Sequence, residues 1–297
     1  MRTNIEPDAG GAVTLRPAGP EDAAECGRVI FESFRDIHDR HQFRRDFASV
    51  EDAVGMAGMF IGHPHVYGVV AESGGRIVGS NFLSEHGEVR GVGPITVDSG
   101  VQRKGVGRTL MRAVLERAEG ARGVRLVQDS FNTLSLSLYA GLGFDVREPL
   151  ALVEGRPRAA PSAGAEVRPM REDDIAECAA LCERVHGFSR EGELRDAVRH
   201  FDPFVLVRGG RVAGYVSAAT FWPLNHGVAE AEAEMCALLA GAGALGEEPL
   251  RMLLPVRQAG LFRWCLAEGL RVVKPMNLMS LGEYREPAGS WFSSVLF

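Results

Sequence analysis

The chain has 297 residues, 45% of them apolar and 24% charged, so it is long enough for two ordinary cores and too apolar for a disordered chain. Its formal charge of −6 argues against a broad nucleic-acid footprint, and a local basic group (Arg103, Lys104, Arg108, Arg112) therefore needs another explanation. No run approaches the roughly 20 apolar residues of a membrane span, residues 1–11 lack an apolar signal core, and the five scattered cysteines form no CxxC pair. A soluble, cytoplasmic protein with reduced thiols is expected, with no nucleic-acid or membrane partner.

In chain order, a strand is expected at 13–16, then a helix from about Glu21, with Pro20 and Asp22 as start signals. Within the helical stretch that follows, His38 and His41 are candidates for an acceptor groove, although a solvated helix end explains them as well. His63-Pro64-His65 hints at a metal, but two histidines without further ligands make a weak set, and no metal is expected. Residues 66–71 read as a short apolar strand, Gly74-Gly75 as a hairpin turn into a strand at 76–83, and 88–97 as another strand. A helix follows from Gly105, with Val106, Leu110, Met111, Val114 and Leu115 on one face. A strand at 124–128, a helix at 133–142 and a strand at 144–153 complete this part.

The sequence then repeats itself. Arg16-Pro17 with Asp22, Ala24, Glu25 and Cys26 recurs as Arg168-Pro169 with Asp174, Ala176, Glu177 and Cys178; Gly74-Gly75-Arg76 recurs as Gly209-Gly210-Arg211; Gly143, Val146 and Pro149 recur as Gly269, Val272 and Pro275. The ordered matches imply a duplicated unit, shortened in its second copy. Residues 154–165 are rich in Pro, Gly and Ala and serve as a linker, which gives a first domain at 1–153 and a second at 166–297.

The segment 97–108 joins a strand to a helix through a basic, glycine-containing turn. At a helix N-terminus several amides lack carbonyl partners and the dipole is positive, so such a turn suits an anion such as pyrophosphate. A Walker loop would need Lys then Ser or Thr after Gly105, where the chain has Val106 and Gly107; a dinucleotide fingerprint would need glycine at Leu110. Gly241, Gly243 and Gly246 fit GxGxxG on paper but follow an apparent helix instead of a strand, so the match reads as accidental.

What remains, Gln102-x-x-Gly105-x-Gly107, resembles motif A of the GNAT superfamily of N-acetyltransferases. Asn132 and Leu138-Tyr139-Ala140-Gly141-Leu142-Gly143-Phe144 resemble the family's next block. The resemblance spans residues 13–153. It implies an α/β (α+β) fold of two tandem GNAT-like domains, each a mixed, mostly antiparallel sheet flanked by helices, the second domain degenerate.

The resemblance also implies a site. Ile95, Thr96 and Val97 would hold the pantetheine arm of acetyl-CoA. Amides from Gln102 to Thr109 (Gln102, Arg103, Lys104, Gly105, Val106, Gly107, Arg108, Thr109) would hold its pyrophosphate, and Asn132, Ser135 and Tyr139 would also contact the coenzyme. A neutral primary amine, of a small molecule or peptide, would attack the thioester. The Val97 N–H would stabilise the oxyanion and Tyr139 would protonate the leaving thiolate, a mildly uphill transfer from a phenol of pKa about 10 to a thiolate of about 8.5. Glu85 and Glu88 lie near the acceptor side, and Glu88 is the candidate base. In the second copy Gln258 and Cys265 stand where Asn132 and Tyr139 would, and no Gln-x-x-Gly-x-Gly appears. A terminal apolar strand at 291–297 is expected to pack beside the first domain and bring the Phe297 carboxylate toward its site. A monomer or homodimer is expected. The rival readings are a non-catalytic acyl-CoA-binding sensor or scaffold and, more distantly, a P-loop phosphotransferase.

Overall fold

A computed structural model describes residues 13–102, 104–160 and 164–296. In it one Arg–Asp corner recurs in both copies. Arg16 donates to the two oxygens of Asp22 at 2.6 and 2.8 Å, and Arg168 does so to Asp174 at the same distances. Gly74 and Gly75 have φ of 57° and 77°, Gly209 and Gly210 60° and 80°, and Gly143 and Gly269 94° and 96°. These left-handed positions exact little from a residue without a Cβ, which is why the glycines recur while their neighbours drift.

The first copy runs β1 (Thr14–Pro17), α1 (Ala23–His41), α2 (Val50–Gly62), β2 (Val66–Ser73), β3 (Arg76–Ser84), β4 (Val89–Val92), β5 (Thr96–Val97), α3 (Val106–Arg117), β6 (Gly123–Asp129), α4 (Thr133–Ala140) and β7 (Asp145–Gly155). The second runs β8 (Glu166–Pro169), α5 (Ile175–His186), α6 (Glu191–His200), β9 (Phe204–Arg208), β10 (Arg211–Val216), β11 (Gly227–Ala229), α7 (Glu232–Leu245), β12 (Leu250–Pro255), α8 (Ala259–Ala267), β13 (Arg271–Gly282) and β14 (Ser290–Phe292). Among the described residues no helix is long and apolar enough to cross a membrane. Gly241 and Gly243 lie inside α7, where a Cβ would come within 2.4 Å of Val167 and 2.7 Å of Pro157. They are there for close packing, and the GxGxxG pattern has no strand before it.

The copies exchange strands. The larger sheet has the order β1-β2-β3-β4-β6-β13-β7-β12, with β5 on β3; the smaller is β14-β11-β10-β9-β8. β13 of the second copy lies between β6 and β7 of the first, and β7 lies between the second copy's β13 and β12. Both copies therefore share a continuous core through Leu150, Leu152, Leu253, Met276 and Leu278. Among the described residues every strand pairing is antiparallel except β4 with β6, as the mixed, mostly antiparallel expectation requires.

Three details differ from the sequence reading. The strand expected at 88–97 is two strands, because the chain leaves the β4 ladder after Val92 and returns only at Thr96. β7 runs two residues into the expected linker, pairing Gly155 with Leu250. At the end of the chain only Ser290–Phe292 is strand; Val295 and Leu296 then pack against Cys26, Ile30 and Phe82 of the first copy. The Phe297 carboxylate lies outside the described residues.

Candidate active site

The parallel β4–β6 ladder holds for only three residue pairs, Val89–Gly123 to Gly91–Arg125. Beyond it β5 pairs with β3 alone, and the gap between β5 and β6 opens into a cavity of about 820 Å³. Its floor is the start of α3. Gly105 caps that helix with φ of 86°, a left-handed turn where a Cβ would be strained. The first intrahelical bond is Thr109 N to Gly105 O at 3.1 Å, so the amides of Val106, Gly107 and Arg108 have no intrahelical acceptor. No acidic residue stands in this turn, and Gly105, Gly107 and Arg108 line the cavity. Thr109 differs from expectation, since its amide is already used. The Val106 side chain is buried in the core, Lys104 is exposed off the cavity wall, and Arg103 lies outside the described residues.

One wall is β5. Asp98 N donates to Val78 O at 2.9 Å, which fixes the alternation of this antiparallel ladder: Thr96 and Asp98 bond across to β3. The N–H and C=O of Val97 consequently point to the opposite edge, toward β6. The Val97 carbonyl accepts from Gln102 Nε2 at 3.0 Å and from Ser33 Oγ at 3.1 Å. Ile95, Thr96, Val97 and Gln102 all line the cavity.

Opposite stands α4. Asn132 caps it, its side chain accepting from Ser135 N at 3.2 Å, while Ser135 Oγ donates to Asn132 O at 3.0 Å. Gln128 reaches both, and Asn277 of β13 donates to Gln128 at 3.2 Å, so a second-copy residue braces the turn. Tyr139 follows on α4, 6% exposed, with Asn132 and Ser135 on the same cavity wall. Burial, and then the charge of Asp129, raises the pKa of its hydroxyl above the ordinary phenol value. The group thus stays protonated across any working pH. It is a firm hydrogen-bond donor and a weaker acid than a free phenol.

The far end of the cavity belongs to both copies, which the sequence did not reveal. Phe34, Phe47 and Met56 come from the first copy; Phe201, Phe221 and Trp222 come from the second. Phe201 and Phe221 stack with centroids 5.6 Å apart. Asp46 and Asp129 also line it, and between them sits Lys274 of β13, fully buried, 2.8 Å from each carboxylate. Its ammonium lies 3.1 Å from His38 Nε2 and 5.1 Å from the Trp222 ring centroid. His38 Nδ1 contacts the Phe34 carbonyl at 2.7 Å. A carbonyl only accepts and an ammonium only donates, so the ring carries its proton on Nδ1 and offers Nε2 to Lys274. Burial raises the Asp129 pKa despite the neighbouring cation. Lys274 lies 52 to 236 residues from these partners in the chain, and no local pattern announces them.

Glu88 does not line the cavity. Its side chain is 66% exposed and pairs with Arg122, which also pairs with Glu283. Glu85 pairs with Arg117 and Arg90, and His41 packs on Phe131. In the second copy the helix matching α3 begins with Glu232 and Glu234, carboxylates at the helix end that favours anions. Gln258 there is engaged with Ser290 and Trp291, and Cys265 is buried with its thiol pushed up to about 12.

The model of the acetyltransferase (GNAT) family matches residues 28–144, the stretch that builds the cavity floor and both walls. The N-alpha-acetyltransferase RimI of Mycobacterium tuberculosis (strain ATCC 25618 / H37Rv) is 31% identical over 153 residues, which are 48% of this chain and 82% of that protein. A Pyrococcus horikoshii protein provisionally named an acetyltransferase superposes with a TM-score of 0.76 at 15% identity, over 98% of this chain and 96% of that one. The tandem GNAT protein from the clavulanic acid biosynthesis pathway superposes with a TM-score of 0.57 at 14% identity, over 93% and 99%. At these identities the structural likeness is one of fold, and it extends across both copies.

Proposed function

This chain belongs to the acetyltransferase (GNAT) family, and on that premise we propose that it moves an acetyl group from acetyl-CoA to a primary amine in the first-copy cavity. The observation that supports this most is the continuity of that cavity, from Gly105, Gly107 and Arg108 at the start of α3, along Val97, past Tyr139, to an aromatic end with two carboxylates. The residues fit the coenzyme: an acid-free helix start with a left-handed glycine suits a pyrophosphate, and Arg108 adds a cation. Bound there, acetyl-CoA supplies an activated thioester, and the rest is the work of the chain.

The outward N–H of Val97 stabilises negative charge developing on a carbonyl oxygen beside β5. Tyr139 hydrogen-bonds a departing thiolate; with its pKa raised, donation of the bond contributes more than full proton transfer. Phe34, Phe201, Phe221 and Trp222 enclose the acceptor and exclude water, while Asp46 and Asp129 favour a cationic amine with an apolar body. Asp129 replaces Glu88 in our reading as the proton acceptor, because it lines the cavity and Glu88 does not. The second copy holds no coenzyme, since Glu232 and Glu234 repel phosphate, and it serves by closing the acceptor end.

The test is release of free thiol from acetyl-CoA with a panel of aralkyl and alkyl amines and N-terminal peptides. Turnover with an aralkyl amine, reduced at least tenfold in Tyr139→Phe with coenzyme affinity retained, is expected. Tight coenzyme binding without turnover on any amine would instead make the protein a sensor.

A further inference from the structure

The pair His63 and His65, too sparse a set in the sequence, gains partners in the fold. His86 stands in the turn between β3 and β4, and Asp196 comes from α6 of the second copy, 133 residues from His63. The Nε2 atoms of His63 and His86 lie 3.1 and 2.7 Å from one oxygen, Asp196 Oδ2, and the three ligand atoms are all within 4.8 Å of one another. The imidazole centroids of His63 and His86 are 4.9 Å apart, and the exposed ring of His65 is 5.9 Å from the first and 5.1 Å from the second. None of these residues lines the cavity.

We propose that His63, His86 and Asp196 form a zinc-binding site that ties the two copies together, with the fourth position open to water. Zinc takes imidazole nitrogen and carboxylate oxygen at about 2.0–2.2 Å, which puts neighbouring ligands of a tetrahedron about 3.3 Å apart. The two nitrogen–oxygen separations, 3.1 and 2.7 Å, need to widen only by some tenths of an ångström to admit the ion, and the two nitrogens already lie within 4.8 Å of each other. Two imidazoles and a carboxylate, without thiolate, match zinc chemistry and fit calcium or magnesium poorly. The surroundings also suit it. His86 Nδ1 lies 3.0 Å from Ser84 Oγ, which can accept its proton and leave Nε2 free for a metal, the outer bond that orients metal-binding histidines. His63 Nδ1 instead accepts from His65 N at 3.1 Å, so zinc binding exchanges that exposed bond for one to water. The ligand side chains are 11 to 24% exposed, enough for an ion to enter. Because α2 and the β3–β4 turn belong to one copy and α6 to the other, a bound ion would cross-link them.

The test does not depend on acyl transfer. The full chain, without a histidine tag and stripped with EDTA, is titrated with zinc against a chromophoric chelator, and its melting temperature is followed. One zinc per chain and an EDTA-reversible rise in melting temperature are expected, with affinity at least 100-fold lower in His86→Ala and in Asp196→Ala. Cobalt(II) added to the wild type, which needs no variant to fold, should give the intense visible bands of tetrahedral coordination. Wild-type affinity equal to that of the variants, or only the weak bands of octahedral cobalt, would overturn the site and leave two imidazoles hydrogen-bonded to Asp196.

Discussion

Replacing Lys274 by methionine keeps the length of the side chain and removes the cation that Asp46 and Asp129 share. Both carboxylates are nearly inaccessible, 8% and 6% exposed, and each is 2.8 Å from the ammonium. Without it the buried pair cannot both stay ionised, and one must take up a proton. Holding an aspartic acid protonated at pH 7 against a reference pKa of about 3.9 costs about 4 kcal/mol, in line with the roughly 3–5 kcal/mol for breaking a buried ion pair. For a chain of this size that lowers the melting temperature by about 6–15 °C. The sign with pH follows. A carboxyl whose folded pKa is raised costs stability above its unfolded value, and the cost shrinks by about 1.4 kcal/mol per pH unit as the medium is acidified toward that value. Urea unfolding at pH 7 and pH 5 should therefore show a loss of about 4 kcal/mol falling to about 1.5, and Asp129→Asn in the same chain should restore most of it. A loss under about 1 kcal/mol at pH 7, or one that does not shrink at pH 5, would refute the reasoning.

Gly105→Ala forces a side chain into a left-handed turn at a cost of about 1–2 kcal/mol; its Cβ meets nothing within 4 Å, so the chain folds, and the KM for acetyl-CoA should rise about tenfold with kcat little changed. His186, buried against Trp291, has its pKa pushed down to about 3, chiefly by burial. A histidine with a depressed folded pKa gives full stability above its unfolded value of about 6.5 and loses up to about 1.4 kcal/mol per pH unit below it; unfolding at pH 7.5 and 5.5 should show that slope, and His186→Phe should flatten it. Asp174→Asn removes the charge and turns one of the two oxygens that accept from Arg168, mirroring Asp22 and Arg16, into a donor, and should cost about 1–3 kcal/mol, measured by urea unfolding.

Local features of the chain were legible in advance: the duplicated Arg–Asp corner, the glycine turns and the strand-to-helix turn at Gly105, whose physics sits within a few consecutive residues. What stayed hidden is long-range. The strand exchange of β7 and β13 leaves both strands with the alternation any sheet would give them. Lys274 reads as an ordinary charged residue of an apolar strand until Asp46, Asp129 and His38 surround it. Glu88, expected near the acceptor side, pairs with Arg122 on the outside. The aromatic end of the cavity draws Phe201, Phe221 and Trp222 from a copy in which no chemistry was expected.

A crystal structure with coenzyme A tests the central claim most directly. One coenzyme per chain is predicted, its pyrophosphate on the amides of Val106, Gly107 and Arg108, its pantetheine along β5 and its thiol beside Tyr139. Coenzyme at the start of α7, or a thiol directed away from Tyr139, would contradict it.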